Sequence, residues 1–198
     1  MQSPLFPLSS VLFPGGRMSL QIFEQRYLDL VRSCLKQDSG FGMVLISEGH
    51  EVAQPGKDMP ALAELGCYAR IVDWDSLPNG LLGVTVEGRE RFVLRSAEAQ
   101  SNKLVVGEID MLEELPGEPL REEWDSLEEV LTSLEQHPHV KRLGFSVDHT
   151  DAWAVGYALA QLLPVEEDIK YQLLAEDNIE IFMEELDEIL NELGGLTA

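Results

Sequence analysis

The sequence predicts an α+β chain: a small, closed or nearly closed β-barrel with one early helix, followed by a bundle of helices. Three observations predict it. Up to about residue 113, apolar residues alternate or run in short stretches between turn-forming residues, which is the pattern of short strands. From Pro116 onward they recur every three and four positions, the helical period. The charge divides in the same region: residues 1–107 hold 10 Lys and Arg against 12 Asp and Glu, and residues 108–198 hold 4 against 24. The expected division is a barrel over residues 1–115 and an acidic helical unit over 116–198.

The first elements lie between Pro4 and Val31. Pro4, Pro7 and Pro14 break an apolar run into two short strands, and because proline offers no N–H to a ladder, those strands should be short or at an edge. Pro14-Gly15-Gly16 turns the chain into a further strand. Phe23, Tyr27, Leu30, Val31, Cys34 and Leu35 then recur at helical spacing, with Glu24 in the first turn, so residues 24–36 should be helical. Phe41–Ile46 is a continuous apolar run suited to a buried strand. Residues 47–64, with Pro55-Gly56 and Pro60, read as a long mobile loop. Residues 67–74 alternate as a strand, and residues 81–86, 91–94 and 104–109 complete the set. The turns expected between strands are Pro78-Asn79-Gly80, Glu87-Gly88-Arg89 and Ser101-Asn102-Lys103. Short strands at this spacing favour closure, which hides their edges.

Pro116-Gly117-Glu118-Pro119 reads as a linker. A helix carrying Trp124, Leu127, Leu131 and Leu134 follows it and stops at His137-Pro138. Thr150 or Asp151 caps a second, whose inward face holds Trp153, Tyr157, Ala160 and Leu163. A third carries Ile169, Leu173 and Leu174. The last has an apolar stripe of Ile179, Phe182, Met183, Leu186, Ile189, Leu190 and Leu193, ended by Gly194-Gly195.

Composition narrows the function classes. A chain of 198 residues with 44% apolar content can bury a core without staples. Cys34 and Cys67 form no C-x-x-C pattern and are expected as buried thiols in a reducing compartment. The first residues have neither a basic start nor an unbroken apolar core, and no stretch approaches the length of a membrane span, so a soluble cytoplasmic protein without a membrane partner is expected. A net charge of −22 repels phosphate and makes nucleic acid an unfavourable partner.

Catalytic motifs fail on inspection. Gly56-Lys57 is followed by Asp58 and has Glu51 where a P-loop needs its first glycine. His50-Glu51 opens like a zinc-protease helix, but Gln54 stands where the second histidine belongs. His137, His139 and His149, with Asp148 and Asp151, are the remaining metal candidates, against a solvated interhelical loop as the plainer reading. Carboxylates crowd the C-terminal third so densely that no pair stands out, and Glu184, Glu185, Asp187, Glu188 and Glu192 read as a solvated helix face. No cofactor is expected.

In one order the chain shows LFPLSSVLFPGG, IFEQRYLDLV, FGMVLI, GCYARIVDW and LPNGLLGVTVEGRERFVL, with LAQLLPV and KYQLLAEDN later. Together these resemble the Lon N-terminal, or LON substrate-binding, domain family over nearly the whole chain. The motif residues are Pro14, Gly15, Gly16, Glu24, Arg26 and Tyr27; Gln25 departs from the family's usual proline, which would only pre-organise the helix start. The resemblance implies a PUA-like pseudo-barrel followed by a helical bundle. It also implies a non-enzymatic, free-standing module that recognises unfolded or exposed polypeptide segments in protein quality control, alongside a separate protease or chaperone. Neither an ATPase nor a Ser-Lys protease segment occurs in these 198 residues. A homodimer is compatible with this reading. The alternatives are an RNA-binding PUA-like module and a hydrolase with a site between barrel and bundle.

Candidate residues follow. Glu24 and Arg26, two apart on a helix, point in different directions and are expected to tie the helix to barrel loops rather than pair. Arg70, Arg89, Arg91 and Arg95 are expected either to line a groove for acidic peptide or RNA, or to answer carboxylates of the helical half. Trp74, Leu77 and the 47–64 loop with Met59, Leu62 and Leu65 mark the expected apolar binding patch.

Overall fold

A computed structural model describes residues 1–51, 59–144 and 146–195. Two compact units divide the chain, Met1–Glu114 and Leu115–Ala198.

The first unit contains β1 (Gln2–Leu8), β2 (Arg17–Ile22), α1 (Gln25–Gln37), β3 (Phe41–Glu48), β4 (Ala61–Ser76), β5 (Leu82–Ala99) and β6 (Val105–Met111). The sheet order is β2-β5-β4-β3-β1-β6, and β5 pairs again with β6, closing a ring from which β2 projects. Closure depends on the length of β5. Its first half pairs with β2 and β4, and its second half pairs with β6.

Two apolar clusters divide along alternating residues of β1 and β3. Leu5 and Val44 face one cluster with Phe92, Val105 and Ile109. Phe6 and Met43 face the other, where Tyr27, Leu30, Val31 and Cys34 of α1 pack against Leu20, Val84 and Val86.

Several sequence expectations are corrected here. β1 lies inside the sheet order, not at an edge, despite Pro4 and Pro7. Gln2–Pro4 pair with β6 alone, Phe6–Leu8 with β3 alone and Leu5 with both, so each proline sits where one flank of the strand has no ladder. Residues 11–13 form a buried connection without strand pairing, and Val11, Leu12 and Phe13 are at most 3% exposed. Glu87-Gly88-Arg89 is not a turn. β5 runs straight through it, because Gly88 lets another stretch of backbone pass: a Cβ there would stand 2.1 Å from the Phe13 carbonyl oxygen. The 47–64 loop is shorter than expected, since β3 reaches Glu48 and β4 begins at Ala61; residues 52–58 lie outside the described residues. The expected turns at Pro14-Gly15-Gly16, Pro78-Asn79-Gly80 and Ser101-Asn102-Lys103 are present, with φ of 71° at Gly15, 81° at Gly80 and 68° at Lys103.

The second unit begins with a 3₁₀ turn, Glu122–Trp124, leading into α2 (Asp125–Glu135), then α3 (Pro138–Leu143), α4 (Ala152–Leu162), α5 (Glu167–Ala175) and α6 (Ile179–Gly195). Where α3 forms, the sequence predicts an interhelical loop. Pro138 starts that short helix, and Gly144 ends it in the left-handed conformation. Asp151 caps α4, its Oδ1 accepting from the Ala154 amide at 2.9 Å. Trp153, Tyr157 and Phe182 form an aromatic cluster with ring centroids 5.2–5.4 Å apart. Gly156 makes room for it, since a Cβ there would lie 2.5 Å from the Phe182 ring. Ile169, expected inside, is 36% exposed, and α6 continues through Gly194 and Gly195. Arg121 binds Glu118, Glu123 and Glu180 and lies over the Trp124 ring, fastening the approach to α2 onto α6. No helix among the described residues is long and apolar enough to cross a membrane.

Candidate functional site

The motif residues at the start of α1 form one polar knot. Glu24 has extended φ and ψ and caps the helix from outside it, so the helical spacing expected of Glu24 and Arg26 does not apply. The two pair face to face: Arg26 Nε meets Glu24 Oε2 at 3.0 Å and Nη2 meets Oε1 at 3.1 Å. Arg26 also donates to the carbonyls of Lys103 and Glu51, tying helix to barrel loops as expected. Its guanidinium lies 4.3 Å from the Tyr27 ring centroid, and Tyr27 stacks on Phe6. Burial pushes the Tyr27 hydroxyl up to about 12, against the pull of Arg26. With every Arg26 nitrogen engaged, this cluster holds the fold and offers no charge to a ligand.

Of the other arginines, Arg70, Arg89 and Arg95 each pair with a carboxylate of their own unit. Arg70 holds the carbonyl and carboxylate of Asp38, the left-handed residue that ends α1. Arg89 and Arg17 share the Glu87 carboxylate at 2.8 and 2.7 Å, and Arg95 binds Asp110 at 2.7 Å. Arg91 is buried and removed from any groove.

The apolar candidates separate by burial. Leu62 lies in β4 opposite Ile46 and packs on the Phe92 cluster, so it is not part of an exposed patch. Leu77 is half-buried against Gly83 in the turn after β4, and Met59 is 36% exposed. Trp74 is 60% exposed. It pairs with Val84, which pairs with Leu20, so the three share a face of the β2–β5–β4 ribbon while only Trp74 stands free of the core. Two further residues escaped the sequence reading. Val72, 38% exposed, is the extra residue of a bulge between Ile71 and Asp73. Phe23, 58% exposed, shares the apolar spacing of α1 but precedes the cap and follows Ile22 at the end of β2. Trp74 and Val72 lie on β4, and Phe23 follows the last residue of β2, the opposite outer strand of the same three-stranded ribbon.

The metal candidates serve the backbone and side chains outside their own group. His137 caps α3, Asp148 accepts from Thr150, and Asp151 caps α4. His149 places Nδ1 2.7 Å from Glu128 and Nε2 3.2 Å from Glu135, both on α2. Burial disfavours its cation, but hydrogen bonds and attraction from the two carboxylates outweigh this and raise its pKa. A raised histidine pKa stabilises the fold below the unfolded value and ceases to do so as pH rises through the folded value. Thermal stability should therefore fall as pH rises above about 6.5, by less than about 1 kcal/mol because the pair is screened by water. Melting curves across that range should show the loss in the native chain and little of it in His149→Gln. The two thiols are buried, and burial raises both, Cys67 to about 12, which leaves them poor nucleophiles.

Comparisons with known proteins agree with this architecture. Residues 2–192 match the model for the ATP-dependent protease La (LON) substrate-binding domain. A crystal structure of a Lon N-terminal domain protein from Xanthomonas campestris is 35% identical, covers 96% of this chain and 98% of its own, and superposes with a TM-score of 0.70. The N-terminal domain of a Mycobacterium avium complex Lon protease shares the fold at 12% identity, covering 95% and 97%, with a TM-score of 0.61. The Lon protease of Porphyromonas gingivalis is 29% identical over 128 residues, which are 64% of this chain and 15% of that protein.

Proposed function

The chain belongs to the LON substrate-binding domain family, and we propose that it is a non-enzymatic module that binds exposed polypeptide segments and delivers them to a separate protease or chaperone in protein quality control. The observation that carries this reading is the exposure of Trp74 on β4, with Val72 exposed on the same strand and Phe23 exposed just past the end of β2. Large exposed aromatics are costly in water and are the residue type that dominates binding energy at protein interfaces. Arg70, Arg89 and Arg95 each engage a carboxylate, which speaks against the RNA reading.

The test uses fluorescein-labelled, reduced and carbamidomethylated ribonuclease A, a permanently unfolded polypeptide, at 150 mM salt. Trp74→Ser should weaken its binding about tenfold, roughly 1.4 kcal/mol, with the melting temperature unchanged. Retention of single-stranded RNA on filters at low salt should be negligible. Equal binding by Trp74→Ser, or tight salt-dependent RNA binding, would refute the proposal.

A further inference from the structure

The ribbon of β2, β5 and β4 has two edges, and they differ. Beyond Ala69, β4 has left β3, and its residues 70–76 pair with β5 alone. Among the described residues β2 also pairs with β5 alone. Which main-chain groups point outward follows from the ladder. The Gly15 amide donates to the Gly88 carbonyl and the Gly88 amide to the Gly16 carbonyl, both at 2.9 Å, with Gly15 in the left-handed conformation. Two residues against one is a glycine bulge, and Gly16–Gly88 is its hydrogen-bonded pair. Counting in twos from that pair, Met18, Leu20 and Ile22 turn their main-chain groups toward β5, and Ser19 and Gln21 turn theirs away. The count agrees across β5, where it leaves the amides of Trp74 and Ser76 pointing outward from β4.

On the β4 edge those amides are already used. Asp73 accepts from Trp74 N–H at 2.8 Å and Asp75 from Ser76 N–H at 2.7 Å. The bulge between Ile71 and Asp73 also breaks the register there. Charges and bulges are the means by which natural sheets keep further strands from adding. On β2 the glycine bulge and the one charge, Arg17, which pairs with Glu87, are confined to the start of the strand; no charged residue lies between Met18 and Phe23, and Ser19 and Gln21 are exposed.

We infer that the β2 edge accepts an extended polypeptide segment as an added strand, hydrogen-bonded to the main chain of Ser19 and Gln21, with an apolar side chain against Phe23. Main-chain groups are common to every unfolded sequence, so this mode selects extended conformation over sequence. The segment is an apolar or uncharged one, since the edge between Met18 and Phe23 carries no charge to answer one. The inference rests on the reading of the chain as a polypeptide-binding module and adds the edge and the bonding mode.

Proline decides it, because at Ser19 or Gln21 it deletes a donor that points away from β5 and leaves the β2–β5 ladder whole. With the unfolded ribonuclease probe, Ser19→Pro and Gln21→Pro should each weaken binding at least tenfold, and Gln21→Ala, which keeps the amide, should bind within twofold of the native chain. Should the proline variants fail to fold, amide exchange in the native chain decides instead: the probe should slow exchange at Ser19 and Gln21 at least tenfold. Unchanged binding by folded proline variants, with Trp74→Ser still weakened, would overturn the edge and spare the wider reading. A native chain that binds no probe would overturn both. Protection of the two amides that rises with protein concentration without probe, together with a dimer in sedimentation, would make the occupant a second copy and overturn the inference.

Discussion

Phe92→Ala should cost about 4 kcal/mol, among the largest losses any single truncation here would produce. Phe92 is fully buried on β5, between the ring-closing strands. Its ring fills space left by glycines on the neighbouring strands: a Cβ on Gly66 would stand 2.4 Å from it, and one on Gly42 2.8 Å. Gly42 and Gly66 offer no side chain to refill the cavity, and the ring is the largest side chain of the cluster with Leu5, Val44, Val105 and Ile109, so the cost should lie at the upper end of the large-to-small range. Urea titration should show a lower midpoint with an unchanged slope, and the melting temperature should drop by roughly 10 °C or more. Phe92→Leu should lose about 1.5 kcal/mol. A loss below about 1 kcal/mol in Phe92→Ala would mean that the barrel interior is not packed around this ring.

Arg26→Ala should cost about 3 kcal/mol, through a different mechanism. The side chain is 9% exposed and makes two bonds to Glu24 and one each to the carbonyls of Lys103 and Glu51. Removing it strands a largely buried Glu24 carboxylate, 18% exposed, and frees two loop carbonyls at once. Arg26→Lys should recover little, because an ammonium cannot reproduce the two-pronged contact with Glu24 while reaching both carbonyls. A double-mutant cycle with Glu24→Gln measures the coupling, which should exceed 1 kcal/mol. Additive effects would show that the two residues act separately.

Periodicity and turn chemistry made much of this architecture legible. The alternation of Cys67 to Trp74, the apolar run of Phe41 to Ile46 and the stripe of α6 each mark an element that tertiary packing only extends. Local signals failed where a distant segment changed the meaning of a residue. Gly88 reads as a turn because glycine often turns chains; it lies in mid-strand because the backbone at Phe13 crosses it. Pro4 and Pro7 read as marks of a short or an edge strand; β1 lies inside the sheet order because its two ends recruit different partners. Glu24 and Arg26 read as unable to pair, and they do pair because the helix begins one residue after Glu24.

The candidate site was legible only in part. Trp74 stands out in any sequence reading as a large aromatic amid acidic residues. The involvement of Phe23, and the contrast between an edge closed by Asp73 and Asp75 and one left open at Ser19 and Gln21, depend on strand register.

By itself the sequence determined the kinds of element, their order, the turns and the acidic character of the C-terminal part, because these follow from interactions within a few residues of one another. Only the tertiary structure decided which strands close the barrel, which arginines are spent on carboxylates and which sheet edge remains unpaired. Those outcomes depend on segments tens of residues apart meeting at one register, and no local pattern encodes where the far partner lies.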